Sequence, residues 1–171
     1  MRAGIISDTH DVMACVEDAA ALFRAEEVGL VIHLGDVCGP ALLAPLRADG
    51  ARLVGVFGNN DRDRNGIRDG SAGAFREGAR ILEAGGRTIL MAHAFDELQP
   101  ELGVGGRFDL LLFGHTHRPV TMRVGRAVVV NPGEGCGLLT GRRTCAIVEL
   151  DTMAVRVLDI PPRAGGDPPR E

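Results

Sequence analysis

The chain has 171 residues, of which 45% are hydrophobic and 25% charged, a composition typical of one globular domain with a substantial core. Because the sequence contains no lysine, it excludes Walker A phosphate binding, Schiff-base chemistry and a lysine general base. The net charge of −4 and the lack of tryptophan and tyrosine argue against an extended nucleic-acid surface.

The first half of the chain alternates predicted strands with helical segments. Apolar runs at 3–6, 30–34 and 52–57 indicate strands, and helix-spaced apolar residues follow the first of them. Pro40 opens a short predicted helix after the second strand. The stretch 58–78 is rich in glycine and charge, and its pattern leaves the helix content open.

Short β-type runs dominate from residue 79 onward, with a brief helix expected between 95 and 109. Gly85-Gly86 and Gly125-Arg126 lie where hairpin turns are expected. We therefore expect a largely antiparallel or mixed sheet in the second half. The predicted strands are 81–83, 88–92, 110–113, 121–124, 127–130, 144–150 and 155–160.

The chain lacks any sign of a domain boundary, so a single domain over residues 1–160 is predicted, followed by a disordered tail at 161–171 that is rich in proline, glycine and charge. The four cysteines are scattered without a Cys-x-x-Cys pair, which favours a reducing compartment. The apolar stretch before Ser7 is too short for a secretory signal, and no run approaches the length of a membrane span. We therefore expect a cytoplasmic protein without a membrane partner.

Polar residues of the types that bind metals follow nearly every predicted strand. Loops beyond the carboxyl ends of strands gather at one rim of an α/β sheet, so distant residues can meet there. Four imidazoles, two carboxylates and an amide carbonyl exceed the needs of one four-coordinate zinc ion and suit two transition-metal ions. The seven predicted ligands are Asp8, His10, Asp36, Asn59, His93, His115 and His117.

Each motif by itself has an ordinary alternative interpretation. Gly-Asp and Gly-Asn-Asn-Asp are common in turns, and Asp-x-His is common in solvated loops. Their joint occurrence at strand ends favours the metal site. Nitrogen and oxygen ligands suit Mn²⁺, Fe, Zn²⁺ or Ni²⁺ better than Ca²⁺, and Mn²⁺ is our first choice.

The motifs stand in this order along the chain: Asp8-Thr9-His10, Gly35-Asp36, Gly58-Asn59-Asn60-Asp61, His93 and Gly114-His115-Thr116-His117. This order resembles the calcineurin-like metallophosphoesterase superfamily, and the chain length and the Asn131-Pro132-Gly133 turn are similar to its small bacterial and archaeal phosphodiesterase branch. The resemblance implies an α/β fold, a four-layer αββα sandwich of two mixed β-sheets flanked by helices.

The resemblance also implies two metal ions that share Asp36 as a bridging ligand. The first ion would be held by Asp8, His10, Asp36 and His117, and the second by Asp36, Asn59, His93 and His115. A hydroxide bridging the ions would attack phosphorus in line with the departing oxygen.

Two positions depart from the usual pattern of the superfamily. A histidine assigned to leaving-group protonation or phosphate contact is replaced by Asn60, and the usual His-Gly-His reads His93-Ala94-Phe95. An amide cannot donate a proton as an acid near neutral pH, so we expect good leaving groups to be favoured. Asn59 and Asn60 would stabilise charge on the phosphoryl oxygens, and Asp61 would either orient a ligand histidine or cap a turn.

The expected function is a dinuclear metal-dependent phosphodiesterase acting on a small phosphate ester. The alternative is a catalytically weak or inactive metal-binding scaffold for protein–protein interaction. Association into homo-oligomers is left open by the sequence.

Several further polar residues lie close to these motifs. His33 stands in an apolar run, which favours a packing role. Arg62, Arg64 and Arg118 are candidates for phosphate contact, although arginines beside loops are usually just solvated. Glu134 follows the turn that we expect to support the loop of the last two ligands, and it is interpreted as structural.

Overall fold

Two mixed β-sheets pack face to face in the computed structural model, which describes residues 1–47 and 50–162. The strands are β1 (Arg2–Ile6), β2 (Leu30–His33), β3 (Arg52–Val56), β4 (Phe75–Arg76), β5 (Arg80–Ala84), β6 (Arg87–Met91), β7 (Leu110–Leu112), β8 (Val120–Val124), β9 (Ala127–Asn131), β10 (Thr144–Glu149) and β11 (Ala154–Asp159). The helices are α1 (Met13–Ala25), α2 (Leu43–Leu46), α3 (Arg64–Gly70) and α4 (Gln99–Gly103).

The first sheet has the strand order β11-β10-β1-β2-β3-β4, and the second has the order β5-β6-β7-β9-β8. Strands β1 to β4 are parallel, as are β6, β7 and β9, while β5, β8, β10 and β11 pair antiparallel with their neighbours. The carboxyl ends of the parallel strands carry the loops in which the candidate ligands lie.

The central core is the apolar layer between the two sheets, where Ile5, Ile32, Met91 and Leu112 are fully buried. Strand β2 (Leu30–His33) is buried on both faces, as is typical of parallel strands.

Helix α1 covers the outer face of the first sheet and buries Val16, Ala19 and Phe23 on one side. Gly4 of β1 lies beneath it: a Cβ at this glycine would be 2.9 Å from the Phe23 ring, so the missing side chain allows the close approach. On the other side of the molecule, the turn at Phe95–Leu98 and α4 cover the second sheet with Leu98 and Leu102. Helices therefore flank both sheets, and the αββα prediction is confirmed.

The predicted strands and the brief helix at 95–109 are found close to their expected positions. The two elements that the sequence pattern did not predict are α3 and β4, within 58–78. Asp63 caps α3 by accepting a hydrogen bond of 2.9 Å from the Gly66 N–H, and Ile67 is its buried residue. Helix α3 has two glycines and a single buried side chain, so it has no apolar periodicity to detect.

Strand β4 is two residues long and pairs with β3. Its Phe75 is fully buried, and the ring lies over Gly55, where a Cβ would be 2.5 Å from the ring. One aromatic ring packed on a glycine therefore stabilises an element that is too short to show a periodic pattern.

No helix within the described ranges is long and apolar enough to cross a membrane. All four cysteines have free thiols, three of them buried. Of the predicted tail, residues 163–171 lie outside the described residues, and the single-domain assignment stays a prediction.

We expect Phe75→Ala to lower the free energy of unfolding by about 3–5 kcal/mol, because it removes a large, fully buried side chain. Phe95, which is 42% exposed, is the matched control, and Phe95→Ala should cost much less. Urea unfolding followed by circular dichroism measures both losses. Similar losses in the two variants would contradict a stabilising role for β4.

Candidate metal centre

The seven predicted ligands follow β1, β2, β3, β6 and β7, and the structure brings their side chains together at one rim of the two sheets. Five of the seven have left-handed backbone geometry, which is uncommon for residues other than glycine. Such geometry clusters at functional sites, where the surrounding structure holds the strained residues in place. The five are Asp8 (φ 55°), His10 (44°), Asp36 (57°), His115 (64°) and His117 (59°).

A first group of donor atoms belongs to Asp8, His10 and His117. Oδ1 of Asp8 is 3.4 Å from Nε2 of His117 and 4.0 Å from Nε2 of His10. The two imidazole rings stack with centroids 5.3 Å apart. Oδ2 of Asp36 lies 3.8 Å from His10 Nε2, so Asp36 reaches this group as well.

A second group consists of Asn59, His93 and His115. Oδ1 of Asn59 is 2.9 Å from Nε2 of His93 and 3.1 Å from Nδ1 of His115. The two ring nitrogens are themselves 3.2 Å apart. Oδ2 of Asp36 is 3.6 Å from His93 Nε2, so the same carboxylate oxygen lies beside both groups.

The donor atoms of these groups fit a cation. Asp8 Oδ1 and His10 Nε2 are buried without a hydrogen-bond partner among the described residues, although unpaired buried polar atoms are costly. Burial also raises the pKa of the Asp8 carboxyl. Two sets of side chains offer ligand atoms within 4.8 Å of one another: Asp8, His10 and His117, and Asp8, Asp36 and His93.

The orientation of His93 is set by the backbone of the neighbouring sheet. Its Nδ1 lies 2.8 Å from the carbonyl oxygen of Leu34, so Nδ1 carries the proton and donates it. The lone pair is therefore on Nε2, the nitrogen that faces Asn59 and Asp36. Gly35 (φ 99°) makes this contact possible, because a Cβ there would be 2.6 Å from His93 Nδ1.

Asp61 is buried and holds the loop of Asp36 in place. Its Oδ2 accepts the N–H groups of Asp36 at 3.0 Å and Gly58 at 2.7 Å, and its Oδ1 accepts that of Cys38 at 2.7 Å. Within the described residues, no ligand histidine donates to it. The structure therefore supports the capping alternative for Asp61.

His33 connects two ligand loops from inside the core. Its Nδ1 accepts the Gly35 N–H at 3.2 Å, so Nε2 carries the proton and donates to Oγ1 of Thr9 at 3.1 Å. Complete burial lowers the pKa of His33 to about 3, which keeps the ring neutral. His33 therefore packs in the core, as the apolar run suggests. It also links the loop of Asp8 to the loop of Asp36 by hydrogen bonds.

The Asn131-Pro132-Gly133 turn supports the last ligand loop, as expected. Nδ2 of Asn131 donates to the carbonyl oxygen of Gly114 at 2.8 Å and to Oγ1 of Thr116 at 3.0 Å. Glu134 follows and is fully buried beside His117. Burial by itself would raise the pKa of Glu134. Hydrogen bonds from the Leu139 N–H and from the hydroxyl and N–H of Thr140 outweigh this effect and lower the pKa to about 2, so the side chain is a carboxylate.

The family model of the calcineurin-like phosphoesterase superfamily domain matches residues 1–153, which carry all seven candidate ligands. The chain belongs to the calcineurin-like phosphoesterase superfamily. The resemblance that the ordered motifs suggested is thereby confirmed.

Members of this superfamily are similar to the chain over nearly its full length. A phosphodiesterase of Methanocaldococcus jannaschii is 30% identical over 161 residues, which cover 91% of this chain and 97% of the relative. The structure of an archaeal phosphodiesterase has a TM-score of 0.84 at 28% identity, over 93% of this chain and 99% of that one. These relatives confirm that the chain belongs to the small archaeal and bacterial branch of the superfamily.

The fold is also shared with Vps29 from Entamoeba histolytica, solved in complex with Zn²⁺. Its TM-score is 0.63 at 20% identity, over 94% of this chain and all of that chain. At this level of identity the likeness shows the fold alone.

Asn60, which departs from the superfamily pattern, contacts Asp36 twice. Its backbone N–H donates to Asp36 Oδ1 at 2.8 Å, and its Nδ2 donates to Asp36 Oδ2 at 2.7 Å. The sequence did not indicate this contact. Support of phosphoryl oxygens by Asn59 and Asn60 stays a prediction.

The candidate arginines differ in their surroundings. Arg64 donates to the carbonyl oxygens of Asp61 and Gly58 and pairs with Glu77, so its guanidinium is engaged in holding the loop. Arg62 is exposed and lines an open cavity of about 330 Å³ next to the donor groups, and Arg118 is exposed as well. The other residues lining that cavity are His10, Asp11, Cys38 and Asn60.

We expect Asp61→Asn to lower the free energy of unfolding by about 2–4 kcal/mol, because an amide nitrogen would face backbone N–H donors that are buried. Asp63→Asn is the matched control, since asparagine caps a helix about as well as aspartate. Urea unfolding in the presence of EDTA measures both. Equal midpoints for Asp61→Asn and the wild type would contradict the anchoring role.

Proposed function

We propose that the chain is a metal-dependent phosphodiesterase that binds two divalent transition-metal ions, with Mn²⁺ as the first choice. The observation that carries this proposal is the position of Asp36, whose Oδ2 lies beside a histidine of each donor group. A carboxylate between two sets of histidine donors suits a pair of neighbouring cations. Membership of the superfamily supports the same function.

The ligands divide between the ions according to the two groups. Asp8, His10, Asp36 and His117 would hold the first ion, and Asp36, Asn59, His93 and His115 the second. When bound, the ions would supply positive charge for the phosphate and acidify a water molecule that serves as nucleophile.

The chain's own residues would position the reactants around that pair. Asn60 donates twice to Asp36, which restrains the carboxylate between the groups. The cavity that reaches His10 offers space for the ester substituent, and Arg62 at its wall would attract an anionic group. An amide at position 60 cannot protonate the leaving oxygen, so that oxygen leaves as an anion or takes its proton from water.

The scaffold alternative makes a different prediction for the same protein. A metal-binding scaffold would retain ions without hydrolysing any ester. The cytoplasmic location and the small phosphodiester substrate are likewise parts of this proposal, and a substrate panel after metal reconstitution tests the latter.

We expect the protein reconstituted with Mn²⁺ to retain about two ions per chain and to hydrolyse an aryl phosphodiester. Asp36→Ala should reduce both the ion count and the rate to near background, because Asp36 serves both groups. Elemental analysis and a chromogenic assay measure the two quantities, with EDTA-treated wild type as a second blank. Two retained ions with no hydrolysis would favour the scaffold, and no retained ion would refute the metal site.

We expect activated aryl diesters to be hydrolysed faster than alkyl monoesters, because no acid stands at position 60. Asn60→His should raise the rate on poor leaving groups on the order of 10²-fold, since general acid catalysis contributes at least this much. Asn60→Gln keeps an amide and serves as the control. An unchanged or lower rate for Asn60→His on poor leaving groups would refute this role of position 60.

A further inference from the structure

Glu134 is a buried carboxylate placed directly behind a candidate metal ligand. Its side chain has no exposed surface, and its Oε1 lies 3.3 Å from Nδ1 of His117. On the opposite edge of the same ring, Nε2 is 3.4 Å from Oδ1 of Asp8. The imidazole of His117 therefore stands between two carboxylates, one at the donor group and one behind it.

The backbone around Glu134 is built into the ligand loop. The N–H of Gly135 donates to the carbonyl oxygen of Ser7 at 2.9 Å, and that of Cys136 donates to the carbonyl oxygen of Asp8 at 3.2 Å. The carbonyl oxygen of Glu134 accepts the N–H of Thr144 at 2.8 Å at the start of β10. The segment that carries Glu134 is therefore hydrogen-bonded to the backbone of Asp8, and this places the carboxylate beside His117.

Other donors also hold the carboxylate. Oε2 accepts the N–H and the hydroxyl of Thr140 at 2.8 and 2.7 Å, and Oε1 accepts the N–H of Leu139 at 2.8 Å and the thiol of Cys136 at 3.2 Å. These bonds restrict the rotation of the Glu134 side chain. Nδ1 of His117 is buried and has no aligned hydrogen-bond partner among the described residues, and the Glu134 carboxylate lies 3.3 Å from it.

The ligand histidines differ in what lies behind them. His93 donates from Nδ1 to a backbone carbonyl, that of Leu34, at 2.8 Å. Behind His10 stands the sulfur of Cys38, 3.9 Å from Nδ1. Within the described residues, only His117 among the predicted ligands has a side-chain carboxylate at the nitrogen that faces away from the donor group. A carboxylate partner fixes the tautomer and raises the basicity of a ligand histidine more than a neutral partner does.

We propose that Glu134 is a positioning residue that accepts the Nδ1 proton of His117 and thereby directs Nε2 of this ring to the metal site. The inference rests on the proposed function, since it concerns the ion held by Asp8, His10 and His117. It implies that Glu134 supports the binding of one ion, because it lies beside His117, a ligand of the first group.

The test compares Glu134→Gln with Thr140→Val by calorimetric titration of the metal-free full-length chain with Mn²⁺. Glu134→Gln keeps the size of the side chain but removes its charge, and we expect one of the two ions to bind about 10–100-fold more weakly. Thr140→Val removes the hydroxyl hydrogen bond to the same carboxylate and leaves His117 untouched. It should weaken binding much less than Glu134→Gln does, because the N–H groups of Leu139 and Thr140 still hold the carboxylate.

A spectroscopic measurement on the wild type covers the case in which Glu134→Gln fails to fold. In the Zn²⁺-loaded protein, long-range ¹⁵N–¹H spectra of the histidine rings report which nitrogen of each ring carries the proton. We expect Nδ1 of His117 to be protonated and its proton to be shifted downfield by the carboxylate. Protonation at Nε2 of His117 would overturn the inference.

The outcomes separate this inference from the function on which it rests. If the wild type binds no Mn²⁺, the proposed function fails. If the wild type binds two ions and Glu134→Gln binds them equally well, only the positioning role of Glu134 fails. An equal loss in Thr140→Val would also overturn it, because the effect would then arise from the loop and not from His117.

Discussion

The rest of the site depends on the position of the Asp36 carboxylate. It lies between histidines that follow strands of two different sheets. Its Oδ2 is within 4 Å of His10 after β1 and of His93 after β6. Its backbone N–H donates to Asp61, and its backbone carbonyl accepts the N–H groups of Thr9 and His10. A shift of this single residue would move ligands of both groups, so the protein restrains it from several sides.

That restraint has an energetic reason. Left-handed backbone at residues other than glycine costs about 1–3 kcal/mol each, and most of the candidate ligands have it. The cost is offset by buried side chains that bind the ligand loops from behind, each through hydrogen bonds to backbone groups. These side chains are His33, Asp61 and Asn131. The donor groups are therefore held by contacts within the folded chain.

The pattern of apolar runs was sufficient to predict the strands, because burial on both faces makes each run nearly continuous, as in Leu30–His33. It was insufficient for β4, which depends on one ring packing against Gly55, a contact between residues twenty positions apart. The roles of the residues that hold the ligand loops could not be predicted from the sequence either. Asp61 could be interpreted as a turn cap or as a partner of a histidine, and only the direction of its two oxygens decides between these roles.

The sequence by itself determined the kinds of donor atoms, their order along the chain and their position after strands, because residue chemistry and apolar periodicity are local properties. Only the tertiary structure decided which donors share Asp36, which nitrogen of each histidine faces the site, and that Glu134 stands behind His117. These features depend on how two sheets pack and on strained backbone angles, and both are set by contacts between segments that are far apart in the sequence.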